Sequence, residues 1–195
     1  QRPLKGLPNL NQAFRHSPSG WPQGTTMIVI QNATHHRTVG QHNPGDIGLL
    51  LGGQRRAGED HVDGHGLVGG LAQGDGFVPQ LQGWLTDQGV DATVINAGVS
   101  GDTTAGGLSR VAWTLTPDVD AMIVTLGGND YLRGLDPAVS RANLDGILAA
   151  GRDAGVEMLL VGLKAGGNYG AYYQAEFDAI YPDLATKYDV LLYDG

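Results

Sequence analysis

The sequence predicts an α/β fold: three layers, α/β/α, built around a central, mostly parallel sheet. Three observations carry this reading. From about Gly74 onward, short apolar runs alternate with segments of helical periodicity. The connections between them are short, as they are when each helix packs back onto the sheet its flanking strands build. The runs 121–126 (AMIVTL) and 156–163 (VEMLLVGL) are almost continuously apolar, which suits strands covered on both faces.

The elements follow in order. Residues 76–88 (GFVPQLQGWLTDQ) place Phe77, Leu81, Trp84 and Leu85 at helical spacing, with Gly89 as the stop. Residues 92–96 (ATVIN) predict a short buried strand, and residues 105–115 a second helix, ended by Pro117. After the strand at 121–126, residues 137–154 predict a long helix. Pro137 falls in its first turn, where a missing N–H is harmless, and Val139, Leu144, Ile147 and Leu148 mark its buried stripe. The strand at 156–163, a helix at 171–187 and a short strand at 190–193 complete the pattern. Such sheets bind ligands at the carboxyl ends of their strands, so the loops after Asn96, Leu126 and Leu163 are the ones to inspect.

Residues 1–69 read differently. All six histidines (His16, His35, His36, His42, His61 and His65) lie there. Residues 1–72 hold six Lys and Arg against four Asp and Glu, whereas residues 73–195 hold six against sixteen. The runs 27–30 (MIVI) and 47–51 (IGLLL) have strand composition, but neither leads into a periodic helix. This sets 1–69 apart as an atypical segment, disordered or misread, from a domain at 70–195. A frameshift in the gene text would account for the change near residue 70.

The bulk properties narrow the function classes. A length of 195 residues suits one core. A net charge of −8 disfavours a nucleic-acid partner, because phosphate binding needs clustered Lys and Arg. Zero cysteines exclude disulfides, thiol nucleophiles and thiolate metal sites. No run approaches the length of a membrane span, so no stable membrane insertion is expected, and no signal peptide opens the chain.

The chemistry lies in two loops. After the strand at 92–96 comes Ala97-Gly98-Val99-Ser100-Gly101-Asp102-Thr103-Thr104, and after the strand at 121–126 comes Gly127-Gly128-Asn129-Asp130. Glycine turns let backbone N–H groups approach a ligand, and an Asn side chain adds a further donor. Converging, such donors make an oxyanion hole; taken alone, Gly-Asn-Asp also suits an ordinary turn.

The text VINAGVSGDTTAGGLSR followed by VTLGGNDYLRGLDP resembles blocks II and III of the SGNH (GDSL-type) hydrolases, in the bacterial lysophospholipase/thioesterase I/arylesterase branch. The likeness extends through Gly167-Asn168-Tyr169-Gly170 and Phe177-Asp178-Ala179-Ile180-Tyr181-Pro182, over roughly residues 70 to 193. The resemblance implies an SGNH/flavodoxin-like sheet and serine-type hydrolysis of a small-molecule acyl ester or thioester through an acyl-enzyme, without a cofactor. It matches Gly101 to the backbone oxyanion donor, Asn129 to the side-chain donor, and Asn168 to a residue lining the acyl-binding cleft. It also implies that 131–136 is a substrate-gripping loop, and that the protein is periplasmic or secreted.

The same resemblance exposes gaps. The nucleophile turn aligns with Val62-Asp63-Gly64-His65, so glycine stands where the serine belongs, and the D-x-x-H block is not reached before Gly195. The chain as it reads is therefore expected to hydrolyse esters weakly or not at all. The alternative is a catalytically inactive SGNH-fold protein that binds acyl or glycan ligands. Ser100 and Ser109 fit turn or capping roles. His61 and His65, beside Glu59, Asp60 and Asp63, have metal-ligand spacing, but the glycines around them do not favour the stable helix such a site needs. Gly64-His65-Gly66-Leu67-Val68-Gly69 fits G-x-G-x-x-G, yet follows charged residues rather than a buried strand, so no dinucleotide site is inferred.

Overall fold

The computed structural model describes residues 24–31 and 76–194. In chain order these form β1 (Thr25–Gln31), α1 (Phe77–Asp87), β2 (Ala92–Asn96), α2 (Thr104–Thr114), β3 (Ala121–Thr125), α3 (Gly128–Leu132), α4 (Pro137–Ala154) and β4 (Glu157–Val161). A 3-10 turn (Gly167–Tyr169), α5 (Gly170–Tyr188) and β5 (Leu191–Tyr193) follow.

The five strands form one parallel sheet in the order β2-β1-β3-β4-β5. β1 lies between its partners, with Thr25 beside Ala92 and Met27 beside Ala121. Strand periodicity divides the core into two faces. Ile28 and Ile30, Met122 and Val124, and Met158 and Leu160 point into one cluster with residues of α2, α4 and α5. Their alternates Met27 and Val29, Ala121 and Ile123, and Leu159 and Val161 point the other way, onto Val78, Leu81, Trp84 and Leu85 of α1. The helices thus cover both faces of the sheet, as the predicted α/β/α layering requires.

Several expectations are refined. The run 27–30 falls inside β1, which comes from the segment set apart at 1–69 and lies inside the sheet, between β2 and β3. The run 47–51 lies outside the described residues. β2 is an edge strand among the described residues rather than a buried one: only Ala92 is buried, and Ile95 is 43% exposed. Val139 does not belong to the buried stripe of α4, being 51% exposed. The stripe runs Ser140, Leu144, Ile147, Leu148 and Gly151 instead, because Ser140 turns inward to a buried carboxylate. The strand expected at 156–163 is shorter, ending at Val161.

In this strand order the chain reverses direction across the sheet at β1 and β3, and the crevice forms beyond their carboxyl ends. The loops leaving β2, β3 and β4 emerge on that same edge, since all strands are parallel.

Candidate active site

β3 ends at Thr125, and Leu126 and Gly127 carry the chain into α3. Gly127 has φ +114, a conformation side chains rarely adopt, and a Cβ there would run into the Tyr181 hydroxyl. That hydroxyl donates to the Leu126 carbonyl oxygen at 3.0 Å. Burial, with Asp130 nearby, pushes the Tyr181 phenol well above its ordinary pKa, so it stays a neutral donor. The turn is therefore built tightly on a buried tyrosine, and it delivers Asn129 and Asp130 together to the sheet edge.

The facing loop follows β2. Gly101 is half-buried with φ +75, which bends the chain back toward α2. Its carbonyl oxygen accepts from Arg133 Nη2 at 2.8 Å. The next residue, Asp102, pairs with Arg110 and accepts from the Thr103 N–H at 3.0 Å. Asn129, only 7% exposed, donates from Nδ2 to the Asp102 carbonyl oxygen at 2.8 Å.

Beneath these contacts lies a buried polar group. Asp130, Thr104 and Ser140 are each fully buried. Asp130 Oδ2 accepts from the Thr104 N–H at 2.9 Å, and Oδ1 from Thr104 Oγ1 at 2.5 Å and Ser140 Oγ at 3.2 Å. Asn143 Nδ2 donates to Thr104 Oγ1 at 3.0 Å.

The loop at 131–136 is fastened on its far side. Tyr169 donates to the Leu132 carbonyl at 3.3 Å and Tyr173 to that of Leu135 at 2.9 Å. Burial raises the pKa of the Tyr173 hydroxyl and keeps it protonated for that role. Tyr173, Phe177 and Tyr181 recur every fourth residue along α5, so their rings stand on one face, and Tyr169, the residue that caps the helix, extends the row. Successive centroids are 5.0, 6.0 and 5.9 Å apart, and Tyr131 meets the Tyr169 ring edge-on at 5.8 Å. This ladder runs from the loop into the core.

The structure thus joins the loops that bear Gly101 and Asn129 by direct hydrogen bonds. Asn168 is exposed on the 3-10 turn after β4. Ser109 donates within α2 to the Gly106 carbonyl at 2.7 Å, and Ser100 is an exposed residue of the Gly101 turn. Gly64, His61, His65 and the remaining histidines lie outside the described residues. Among the described residues, no group of three or more His, Asp or Glu is placed to hold a metal ion.

Sequence reasoning did not single out Asp130, Thr104 or Arg133. A signal existed for the first two: an acidic residue in LGGNDYL, flanked by apolar text, needs donors, and Thr103-Thr104 in the facing loop offers them.

The model of the GDSL-like lipase/acylhydrolase family matches residues 60–195. Esterase TesA of Pseudomonas aeruginosa is 41% identical over 119 residues, which cover 60% of this chain and 59% of that protein. The arylesterase of Vibrio mimicus is 40% identical over 111 residues, covering 55% and 54% respectively. The chain thus spans somewhat more than half the length of these curated relatives. Among solved structures, AlinE4, described as an SGNH-hydrolase family esterase, superposes with a TM-score of 0.65 at 38% identity. That match covers 88% of this chain and 76% of the other.

Proposed function

Because the chain belongs to the GDSL-like lipase/acylhydrolase family, we propose that it is a hydrolase of carboxylic esters or thioesters in which Gly101 and Asn129 stabilise the oxyanion. The observation that carries this reading is the bond from Asn129 Nδ2 to the Asp102 carbonyl, which brings the Asn side chain to the residue after Gly101. Attack on an ester carbonyl places negative charge on its oxygen. A backbone N–H from Gly101 and an N–H from the Asn129 amide would meet that charge. In the acyl-enzyme route a nucleophile oxygen bonds the carbonyl carbon, the alcohol or thiol leaves with a proton, and water then releases the acid.

The remaining assignments belong to the same proposal. Asn168 lines the cleft for the acyl chain, and the loop at 131–136 closes over it. The relatives bear the names esterase, arylesterase and thioesterase 1/protease 1/lysophospholipase L1, which favours small acyl substrates here. The nucleophile turn aligns with 62–65, outside the described residues, and glycine stands at 64. A donor pair without its nucleophile still accelerates acyl transfer, by about 10³-fold over water in well-studied hydrolases. The purified chain should therefore hydrolyse p-nitrophenyl acetate and butyrate slowly but above a buffer blank. A rate blocked by a serine-directed phosphonate would identify a serine nucleophile; a rate that survives it would belong to the donor pair. A rate equal to the blank would overturn the proposal.

A further inference from the structure

We propose that Asp130 is a positioning residue for the oxyanion donors: its buried carboxylate fixes the Gly101 turn against Asn129. The inference rests on the donor-pair reading above and extends it to a residue that does not touch substrate.

The argument begins with placement. Asp130 directly follows Asn129, and Thr104 lies three residues after Gly101. One bidentate contact between Asp130 and Thr104 therefore spans the two loops, next to Asn129 on one side and three residues from Gly101 on the other. The Gly101 turn is held at both ends. Asn96 is set by its register with Val29 in the sheet, and Thr104 is set by Asp130. Between those ends the turn is held by the Ala97 N–H to the Val29 carbonyl at 3.0 Å, the Gly98 N–H to Asn96 Oδ1 at 2.9 Å and the Asp102 N–H to the Val99 carbonyl at 3.2 Å.

The chemistry explains why the residue is an aspartate. The Thr104 N–H opens α2, where helix geometry leaves it without an intrahelical acceptor. It can only donate. Thr104 Oγ1 receives a hydrogen from Asn143 and directs its own toward Asp130 Oδ1. Ser140, in the first turn of α4, donates to the same oxygen. Three donors thus converge on two oxygens, and only a carboxylate accepts at both. Among the described residues no Lys or Arg forms an ion pair with Asp130. Its polarity is met by these hydrogen bonds and by the positive end of α2. An Asn at 130 would turn an NH₂ group toward one of the donors, and the bridge would open despite equal size.

The turn then shifts relative to Asn129. A displacement approaching 1 Å between reacting groups costs up to about 100-fold in rate.

The test uses the 15N-labelled 195-residue protein, reading the Gly101 backbone amide and the Asn129 side-chain amide by NMR. Asp130→Asn should move both resonances, while Ser140→Ala, which removes only the longer contact to α4, should move them little. If Asp130→Asn does not fold, a second pair decides the matter. Thr104→Val should move both resonances, and Thr104→Ser, which keeps the hydroxyl, should leave them in place. A folded Asp130→Asn with both resonances unmoved overturns the proposal. So does Thr104→Ser moving them as far as Thr104→Val, because side-chain packing would then be responsible. Hydrolysis of p-nitrophenyl butyrate gives the independent readout: kcat should fall about tenfold to 100-fold in Asp130→Asn with KM little changed. Resonances that move in a protein showing no hydrolysis above the blank would support the positioning role and sink the esterase reading alone.

Discussion

Asn129 and Asp102, twenty-seven residues apart, are joined by a 2.8 Å hydrogen bond from the Asn129 amide to the Asp102 backbone carbonyl. A side chain thereby reads the backbone position of the opposite loop. Replacing Asn129 with Asp keeps the shape and exchanges the donor for an acceptor, so two oxygens would face each other. We expect Asn129→Asp to lower the melting temperature and to abolish hydrolysis above the blank, because the carboxylate also repels the developing oxyanion. Thermal unfolding by circular dichroism and the p-nitrophenyl butyrate rate check the two parts separately.

Gly127 and Tyr181 form a steric pair. Gly127→Ala combines a left-handed backbone, costing about 1–2 kcal/mol, with a Cβ driven into the buried Tyr181 hydroxyl. Tyr181→Phe alone removes one hydrogen bond, at about 1 kcal/mol. The double variant should be more stable than the sum of the two losses, since Phe removes the atom that the new Cβ meets. Urea unfolding of the four proteins measures the coupling. Strict additivity would mean that the turn relieves the clash by moving elsewhere.

A pH dependence follows from the pair Asp145 and Lys187, whose Oδ1 and Nζ lie 2.5 Å apart. Lys187, followed by the Tyr188 hydroxyl, holds the Asp145 carboxyl below its ordinary value, near 3.8, although burial opposes this. A carboxyl with a depressed folded pKa contributes stability above its unfolded pKa and loses it as pH falls through the folded value. The stability difference between wild type and Asp145→Asn should therefore be level from about pH 7 to pH 5 and shrink below about pH 4. Its size should be small and reduced by salt, because Asp145 is 35% and Lys187 55% exposed. Denaturant titrations at pH 7 and pH 3 provide the comparison.

Arg133 ties the loop at 131–136 to the Gly101 carbonyl at 2.8 Å from an exposed position. Arg133→Ala should leave stability within about 0.5 kcal/mol while lowering the hydrolytic rate several-fold, as the Gly101 turn loses a charged partner. A rate that is unchanged would assign Arg133 to the surface alone.

The longer helices and the strands β3 and β4 were legible because each buries one continuous stripe or face, a pattern local to the segment that makes it. The five-residue α3 is too short to show a period, and β2 buries only Ala92. Element ends were less legible: the strand expected to reach Leu163 stops at Val161. β1 needed the tertiary structure, since Met27-Ile28-Val29-Ile30 becomes a central strand only through pairing with residues more than sixty positions away. The same distance hid Asp130. Gly101 and Asn129 could be singled out from motif spacing, whereas the carboxylate that joins their loops is defined by a bond across twenty-six residues and by burial, neither of which leaves a periodic trace. Val139 was misplaced for a related reason. A hydrophobic stripe drawn from composition puts valine inward, yet Ser140 takes the inner position because Asp130 needs its hydroxyl.

The most direct measurement of the central claim is the rate of p-nitrophenyl butyrate hydrolysis by the wild-type chain and by Asn129→Ala, assayed side by side at equal folded concentration. Loss of one oxyanion donor costs about 10²–10³ in kcat, so the account predicts a measurable wild-type rate that falls to the buffer blank in Asn129→Ala. A variant that folds and hydrolyses as fast as wild type would contradict it.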